Sequence, residues 1–374
     1  MVIMALDHVR DFFHLGGATG DPLDPDTTTP ILYFTRFITH YCAPVFVFLA
    51  GTSAYLYGRK KSRKDLARFL LTRGLWLIFV EIAIMSLLWW FNPKYELINL
   101  QVIWAIGLCM VILSAIVYLP LKWIAVLGFA IVFGHNLLDG ITVEGQDPAA
   151  ILWYIVHQWG MAAYGDHVVL FYYPVLAWVG VMSLGFAFGT IYDRERTAEF
   201  RKKWLLRIGL GAIALFFILR GLNVYGDLLR WETVDRGGFY TFLSFMNVTK
   251  YPPSLLFVLI TLGPAMLFLV AIENVQNRLT DWLLVFGRVP FFYYVLHVFV
   301  IHLAAVIGIL ITGGNWRIMI VDASLFTGLW DGYGYPLYVT YFVWIAVVIL
   351  LYFPSRAYMR YKLQHKEKAW LSYL

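Results

Sequence analysis

The most restrictive feature of this sequence is a succession of apolar stretches, each bounded by charged residues, glycine or proline. A helix needs roughly 20 mostly apolar residues to cross the hydrocarbon core of a bilayer, and about ten windows approach that length. Runs such as 343–351 lack the alternation of barrel strands, so the pattern predicts helices. The predicted spans lie near residues 1–13, 37–57, 69–91, 99–118, 121–135, 168–191, 204–222, 252–272, 289–311 and 336–353.

The composition excludes a soluble protein. Of the 374 residues, 61% are hydrophobic and 14% are charged, whereas soluble domains carry about 25% charged residues. We therefore predict an all-α, polytopic membrane helix bundle of about ten transmembrane helices. We expect one integral membrane domain over residues 1–374, with the lipid bilayer as a partner. An oligomer is compatible with this prediction.

The net charge of +6 comes from basic residues beside the apolar spans, and such residues set the orientation of a membrane protein. Basic residues cluster after the second, sixth and tenth spans, at positions 59–68, 194–203 and 356–368. By the positive-inside rule these segments are cytoplasmic, and the alternate loops, such as 136–167, face outward. We therefore expect a cytoplasmic C-terminus, and we exclude nucleic acid as a partner.

Neither the cysteines nor the histidines predict a metal site. Cys42 and Cys109 lie inside apolar stretches, which argues against a disulfide scaffold, a thiolate zinc site and an iron–sulfur cluster. His297 and His302 are five residues apart, so their side chains project about 140° apart on a helix. One metal ion would not easily take both rings.

The first span is shorter than a crossing requires. Only residues 1–6 are apolar before Asp7, although the sidedness of the loops calls for a full crossing here. The segment also lacks the basic start, long apolar run and cleavage site of a signal peptide. We therefore expect the chain to begin partway along its first helix.

The densest group of ionisable residues lies in this same segment. On a helix, Asp7, Arg10, Asp11 and His14 share one face, and His8 reaches Asp11 at i+3. A carboxylate can orient an imidazole and stabilise its cation, as a general base requires. The alternative is a solvated helix end whose charges pair with each other.

Other polar residues lie in or beside the spans. The small residues of segment 50–53 favour close helix packing, and they also admit a narrow ligand. His297 either hydrogen-bonds a neighbouring helix or faces a substrate cavity. Since unpaired polar groups are costly in lipid, we expect Asp7, His8, His14, His40 and His297 to line one cavity. The candidate substrate-binding residues are Arg10, His40, Ser53, His297 and His302.

Four segments make the chain resemble a known family. They are MALDHVRDFF at 4–13, PVFVFLAG at 44–51, YPPSL at 251–255 and GRVPF at 287–291. Together they resemble bacterial members of the heparan-alpha-glucosaminide N-acetyltransferase family. The chain is more distantly similar to membrane acyltransferases that modify cell-surface glycans, whose early-helix histidine matches His8.

The resemblance implies an enzyme of the bacterial inner membrane. Such an enzyme takes acetyl groups from cytosolic acetyl-CoA, without a metal, and delivers them to an extracytoplasmic sugar or glycan. His8 or His14 would act as the base, and Asp7 or Asp11 would orient it. The basic residues expected to hold the anionic CoA are Arg59, Lys60 and Arg288. Positive-inside orientation is the stronger explanation of those three residues.

A proton-coupled small-molecule transporter is the alternative function. Buried histidine and aspartate side chains also serve proton relays, and about ten helices suit a carrier with inverted repeats. The two halves of the sequence contain no matched pair of helices broken by glycine or proline, which counts against a carrier. Neither the acceptor nor an acyl-histidine intermediate follows from the residues alone.

The charge pattern makes a topological prediction. A reporter that is active only in the cytoplasm should be active when it is fused after Leu374, and inactive when it is fused within the loop 136–167. Reporter activity in whole cells measures both. The opposite pair of results would reverse the orientation.

Overall fold

The computed structural model describes residues 1–17, 20–323 and 333–372. This part of the chain is mainly helical, as predicted. The helices are α1 (Val2–Phe13), α2 (Pro30–Thr39), α3 (Cys42–Gly58), α4 (Arg63–Val80), α5 (Ser86–Trp90), α6 (Val102–Ile116), α7 (Leu121–Gly134), α8 (Pro148–Val156), α9 (Leu176–Phe188), α10 (Ala198–Leu222), α11 (Gly238–Met246), α12 (Leu255–Ile272), α13 (Arg278–Arg288), α14 (Pro290–Ile311) and α15 (Leu337–Gln364).

Within the described ranges, three short strands interrupt the helices: β1 (Leu97–Leu100), β2 (Gly160–Tyr164) and β3 (His167–Phe171). Strands β2 and β3 form an antiparallel hairpin, whose turn contains Gly165 at a φ of +60°. That left-handed conformation suits glycine, which has no Cβ. The span predicted at 168–191 therefore begins later than expected, because its first residues belong to β3 and α9 starts at Leu176.

Seven helical segments of the described chain are long and apolar enough to cross a bilayer. They are Pro30–Gly58, Arg63–Trp90, Leu121–Leu138, Ala198–Leu222, Leu255–Ile272, Pro290–Ile311 and Leu337–Gln364. Two shorter apolar helices, Val102–Ile116 and Leu176–Tyr192, coincide with other predicted spans. The all-α polytopic bundle is confirmed, whereas the count of ten crossings is not.

The chain forms two compact units. Unit 1 comprises Met1–Cys42, Ala83–Ile98 and Val275–Leu374, and unit 2 comprises Ala43–Ile82 and Asn99–Asn274. Both units are therefore assembled from segments far apart in sequence. A single domain over 1–374 stays a prediction.

Helix α1 lies in the interior of unit 1. It contacts α2, α14 and α15, and Ala5, Val9 and Phe12 are fully buried. The Trp344 indole of α15 donates a hydrogen bond to the Val2 carbonyl at 2.8 Å. A helix that is buried on most of its faces is enclosed by protein rather than by lipid. This enclosure explains how a helix with so many ionisable side chains remains inside a membrane protein.

Unit 2 is built on closely packed helix pairs, namely α4 with α6, α7 with α9 and α10 with α12. Gly74 of α4 and Gly107 of α6 face each other, and a Cβ added to Gly107 would lie 2.7 Å from the Gly74 carbonyl oxygen. Small residues at such contacts allow membrane helices to approach backbone to backbone. Gly51 of α3 has the same role against the Met182 carbonyl of α9, so the small-residue segment of α3 packs against a helix.

The contact between α4 and α6 makes a prediction about stability. The change Gly107→Leu should lower the free energy of unfolding by about 3 kcal/mol, because a rigid backbone carbonyl occupies the space that the new side chain needs. Thermal unfolding of detergent-purified protein measures the effect. The matched control is Gly211→Leu, since no atom lies within 4 Å of a Cβ at Gly211 of α10. Equal losses in the two variants would contradict the packing argument.

Candidate functional site

The candidate site in unit 1 is built around α1. The local sequence places ionisable residues among apolar ones, and the helix turns some of them inward. Asp7 and Arg10 are buried, whereas His8 and Asp11 are half-buried. Polar side chains that are enclosed in this way need specific partners.

His8 hydrogen-bonds His297 of α14, which lies 289 positions later in the chain. The His8 Nδ1 atom is 2.7 Å from His297 Nε2, and the ring planes lie within 16° of each other. This near-coplanar arrangement is favourable for a hydrogen bond, because the nitrogen lone pairs lie in the ring planes. This hydrogen bond joins α1 to α14. It brings together two candidate histidines that the sequence places in different spans.

The backbone determines which nitrogen carries each proton. His297 Nδ1 lies 2.9 Å from the Tyr293 carbonyl oxygen, one turn earlier on α14. A carbonyl oxygen only accepts, so Nδ1 of neutral His297 bears the hydrogen and its Nε2 accepts from His8. His8 Nδ1 is therefore the donor, and the lone pair of the neutral His8 ring is on Nε2. This is the tautomer that a general base needs at Nε2.

Aromatic side chains surround the histidine pair. The indole of Trp89 meets His8 edge-on at a centroid distance of 5.0 Å, and the Tyr294 ring lies 6.3 Å from His8. His297 is fully buried. Interactions between polar groups are stronger in such surroundings than in water.

The carboxylates of α1 pair with arginines. Asp7 Oδ2 is 2.5 Å from Nη1 of Arg36 on α2, and Asp7 Oδ1 is 3.6 Å from Nη2 of Arg10. Arg10 also pairs with Asp11 and donates to the Gly17 carbonyl at 3.1 Å. Two aspartates and two arginines thus balance their charges, which reduces the cost of burying each one.

These contacts bear on the predicted role of the carboxylates. The sequence predicts that Asp7 or Asp11 orients the catalytic histidine. In the structure, each carboxylate forms an ion pair with arginine, and the ring that hydrogen-bonds His8 is that of His297. Orientation of the base by Asp7 or Asp11 stays a prediction.

His14 follows the last residue of α1. Its flanking residues exchange backbone hydrogen bonds with Tyr335, which donates to the Phe13 carbonyl at 2.7 Å and accepts from Leu15 N–H at 3.1 Å. Burial lowers the pKa of His14 below its ordinary value, and the positive charge of Arg10 lowers it further. The ring is therefore neutral near pH 7 and able to accept a proton.

The two remaining histidine candidates are both buried in unit 1. His302 has its ring nitrogens 2.9 Å from the Leu88 carbonyl and 3.0 Å from the Met319 carbonyl. These contacts account for its burial without a ligand. His40 lies at the end of α2, with its ring centroid 6.1 Å from that of Phe37. Substrate contacts by either histidine stay predictions.

The predicted donor-binding residues occupy both units. In unit 2, Arg59 Nε is 3.2 Å from Asp193 Oδ1, whereas Lys60 is exposed. In unit 1, Arg288 is exposed at the end of α13. The candidate substrate-binding residue Ser53 is exposed on α3 in unit 2.

Across 1–17, 20–323 and 333–372, no group of three or more histidine, cysteine, aspartate or glutamate residues is arranged to hold a metal ion.

The sequence does not predict three residues that contact Asp7 or the histidine pair: Arg36, Trp89 and Tyr293. Arg36 had one available signal, because it is an arginine within an otherwise apolar stretch. Trp89 and Tyr293 are aromatic residues in aromatic-rich helices, so nothing local distinguishes them. Their positions beside the histidine pair follow only from the packing of α1 against α5 and α14.

The same histidine-bearing helix lies within the region that a family comparison matches. The family model described as heparan-alpha-glucosaminide N-acetyltransferase, catalytic, matches residues 3–223. This match covers more than half of the chain, and it includes the PVFVFLAG segment at 44–51. Neither the curated proteins nor the solved structures gave a match to the chain. The chain therefore belongs to the heparan-alpha-glucosaminide N-acetyltransferase family, and it is a multi-pass membrane protein of the acetyltransferase kind.

Proposed function

We propose that this protein moves an acetyl group from cytosolic acetyl-CoA to an amino or hydroxyl group of an extracytoplasmic sugar or glycan. One observation carries the proposal: the hydrogen bonds of His8 and His297 leave the lone pair on His8 Nε2. Acetyl transfer to an amine or hydroxyl needs a base that removes the acceptor's proton. A histidine in this tautomer, in a chain of this family, supplies that base.

His8 acts as the general base in this proposal. Its Nε2 takes the proton from the acceptor as the acceptor attacks the acetyl carbon, and later returns the proton to the departing thiolate. A histidine suits both steps, because its ordinary pKa lies near neutrality. His14 is the second candidate, since its lowered pKa also keeps its ring neutral.

His297 positions the base and supports its charged form. Its Nε2 accepts from His8 Nδ1 in both protonation states of His8, and that hydrogen bond strengthens when His8 becomes a cation. A catalytic aspartate would place a full negative charge beside the base, whereas neutral His297 adds no charge to a buried site. The carbonyl of Tyr293 keeps His297 in the required tautomer.

The ion pairs of α1 hold the base in place. Asp7 joins α1 to α2 through Arg36, and Asp11 binds Arg10 on the same helix. Removal of one member of a buried pair leaves an uncompensated charge, at a cost of about 3–5 kcal/mol. Asp7 is therefore proposed to fix the position of α1 through Arg36, and Asp11 to hold the Arg10 side chain. Arg10 and His40 are proposed to contact the acceptor.

The donor is an anionic nucleotide thioester, and the exposed basic residues suit its phosphates. Lys60 and Arg288 are accessible to a cytosolic anion, whereas Arg59 already shares its charge with Asp193. Positive charges raise the local concentration of an anion without forming one pocket. Acetyl-CoA as the donor, a cytoplasmic C-terminus and a location in a bacterial inner membrane are parts of the same proposal, supported by the loop charges and the family.

The proposal predicts the effect of removing the base. The change His8→Ala should lower kcat by about 10²- to 10⁴-fold, because the acceptor loses general-base help. The change His297→Ala should also lower kcat, since the His8 tautomer is then no longer fixed. Release of free thiol from acetyl-CoA, by lipid-reconstituted protein with a panel of amino sugars and glycans, measures turnover.

The matched control is His365→Ala, which removes a histidine near the end of α15. It should leave turnover within about twofold of the parent protein. If His14→Ala abolishes turnover and His8→Ala does not, His14 is the base. If the parent protein releases no thiol, but moves an unmodified solute in response to a pH gradient, the transporter is the correct function.

A further inference from the structure

Tyr293 contains a polar atom that the mechanism above does not use. The side chain is fully buried in unit 1, three residues after the start of α14. Among the residues that the structure describes, its hydroxyl has no hydrogen-bond partner. A buried polar group that lacks a partner costs about 1–3 kcal/mol.

Packing contacts explain why the ring of Tyr293 lies here, but they do not explain its hydroxyl. The ring plane lies within 5° of the His297 plane at a centroid distance of 5.2 Å, and Phe286 meets the ring edge-on at 5.0 Å. A phenylalanine would make both contacts equally well. Packing alone therefore gives no reason for a hydroxyl in this apolar place.

The position beside His297 suggests what the hydroxyl binds. Acetyl transfer places negative charge on the carbonyl oxygen of the acetyl group, and enzymes stabilise that charge with preorganised hydrogen-bond donors. His8 is occupied as the base, and the guanidinium groups of Arg10 and Arg36 are paired with carboxylates. Tyr293 is a neutral donor whose ring stacks on His297, the partner of His8, and its hydroxyl is used by none of these interactions.

We propose that the Tyr293 hydroxyl donates a hydrogen bond to the carbonyl oxygen of the acetyl thioester. This inference rests on the proposed function. The acceptor's lone pair forms a bond to the carbonyl carbon, and the carbonyl π electrons move to the oxygen, where Tyr293 stabilises them. His8 Nε2 takes the acceptor's proton. The oxygen electrons then re-form the carbonyl, the carbon–sulfur bond breaks, and the CoA thiolate takes the proton from His8.

The kinetic test is Tyr293→Phe in the full-length, lipid-reconstituted protein. Loss of one oxyanion donor should lower kcat by about 10²- to 10³-fold, while KM for acetyl-CoA changes little. The matched control is Tyr358→Phe, because the Tyr358 hydroxyl also has no partner among the described residues and its ring stacks on Phe292 at 4.4 Å. That control should keep full turnover.

A spectroscopic measurement tests the hydrogen bond directly. In a His8→Ala protein, which keeps its substrate intact, acetyl-CoA labelled with ¹³C at the acetyl carbonyl should show an infrared stretch lowered by the Tyr293 donor. Adding Tyr293→Phe should return the stretch to a higher frequency, and adding Tyr358→Phe should not. A purely structural role for Tyr293 would leave the frequency unchanged.

Stability provides the third measurement. Because Tyr293→Phe removes an unpartnered hydroxyl and keeps the ring, the variant should melt at the same temperature as the parent protein or higher. A clear fall in melting temperature would show a protein partner for the hydroxyl and would overturn the inference. Turnover of Tyr293→Phe within about threefold of the parent would overturn it as well. Failure of the proposed function gives a different result from failure of this inference, because the parent protein itself would then release no thiol.

Discussion

A helix that carries two aspartates, an arginine and a histidine can remain inside a membrane protein only when other helices enclose it. Helix α1 meets this constraint through its neighbours in unit 1. Arg36 of α2 compensates Asp7, His297 of α14 accepts from His8, and apolar faces of α14 and α15 cover the remainder. The hydrogen bond from His8 to His297, which fixes the tautomer of His8, is thus also one of the contacts that enclose α1.

The tautomer of His8 follows from a chain of donors and acceptors that begins in the backbone. The Tyr293 carbonyl is fixed by the helix, it determines which nitrogen of His297 is protonated, and His297 in turn determines the proton on His8. No charged residue is needed at any step. A site organised in this way suits a low-dielectric interior, where an additional carboxylate would require its own compensation.

The amino-acid sequence predicts the helical membrane bundle well, because apolar stretches and loop charges are local properties. It also predicts His8 and His297 as candidates, since ionisable residues within apolar spans are conspicuous. It does not predict that the two histidines touch, because their contact depends on the packing of helices 289 positions apart. Nor does it distinguish Tyr293 from the many other aromatic residues. The late start of α9 was missed because the residues of β3 are as apolar as a helix.

The contacts of α1 also depend on residues that are translated late. The Val2 carbonyl accepts from an indole 342 positions later, and the end of α1 pairs with Tyr335. The N-terminal segment of a chain is synthesised first. Helix α1 therefore emerges from the ribosome before Tyr335 and Trp344 have been translated. Helix α1 therefore lacks these contacts until residues 335–344 have been translated. A chain that ends before Tyr335 therefore lacks the contacts that hold both ends of α1.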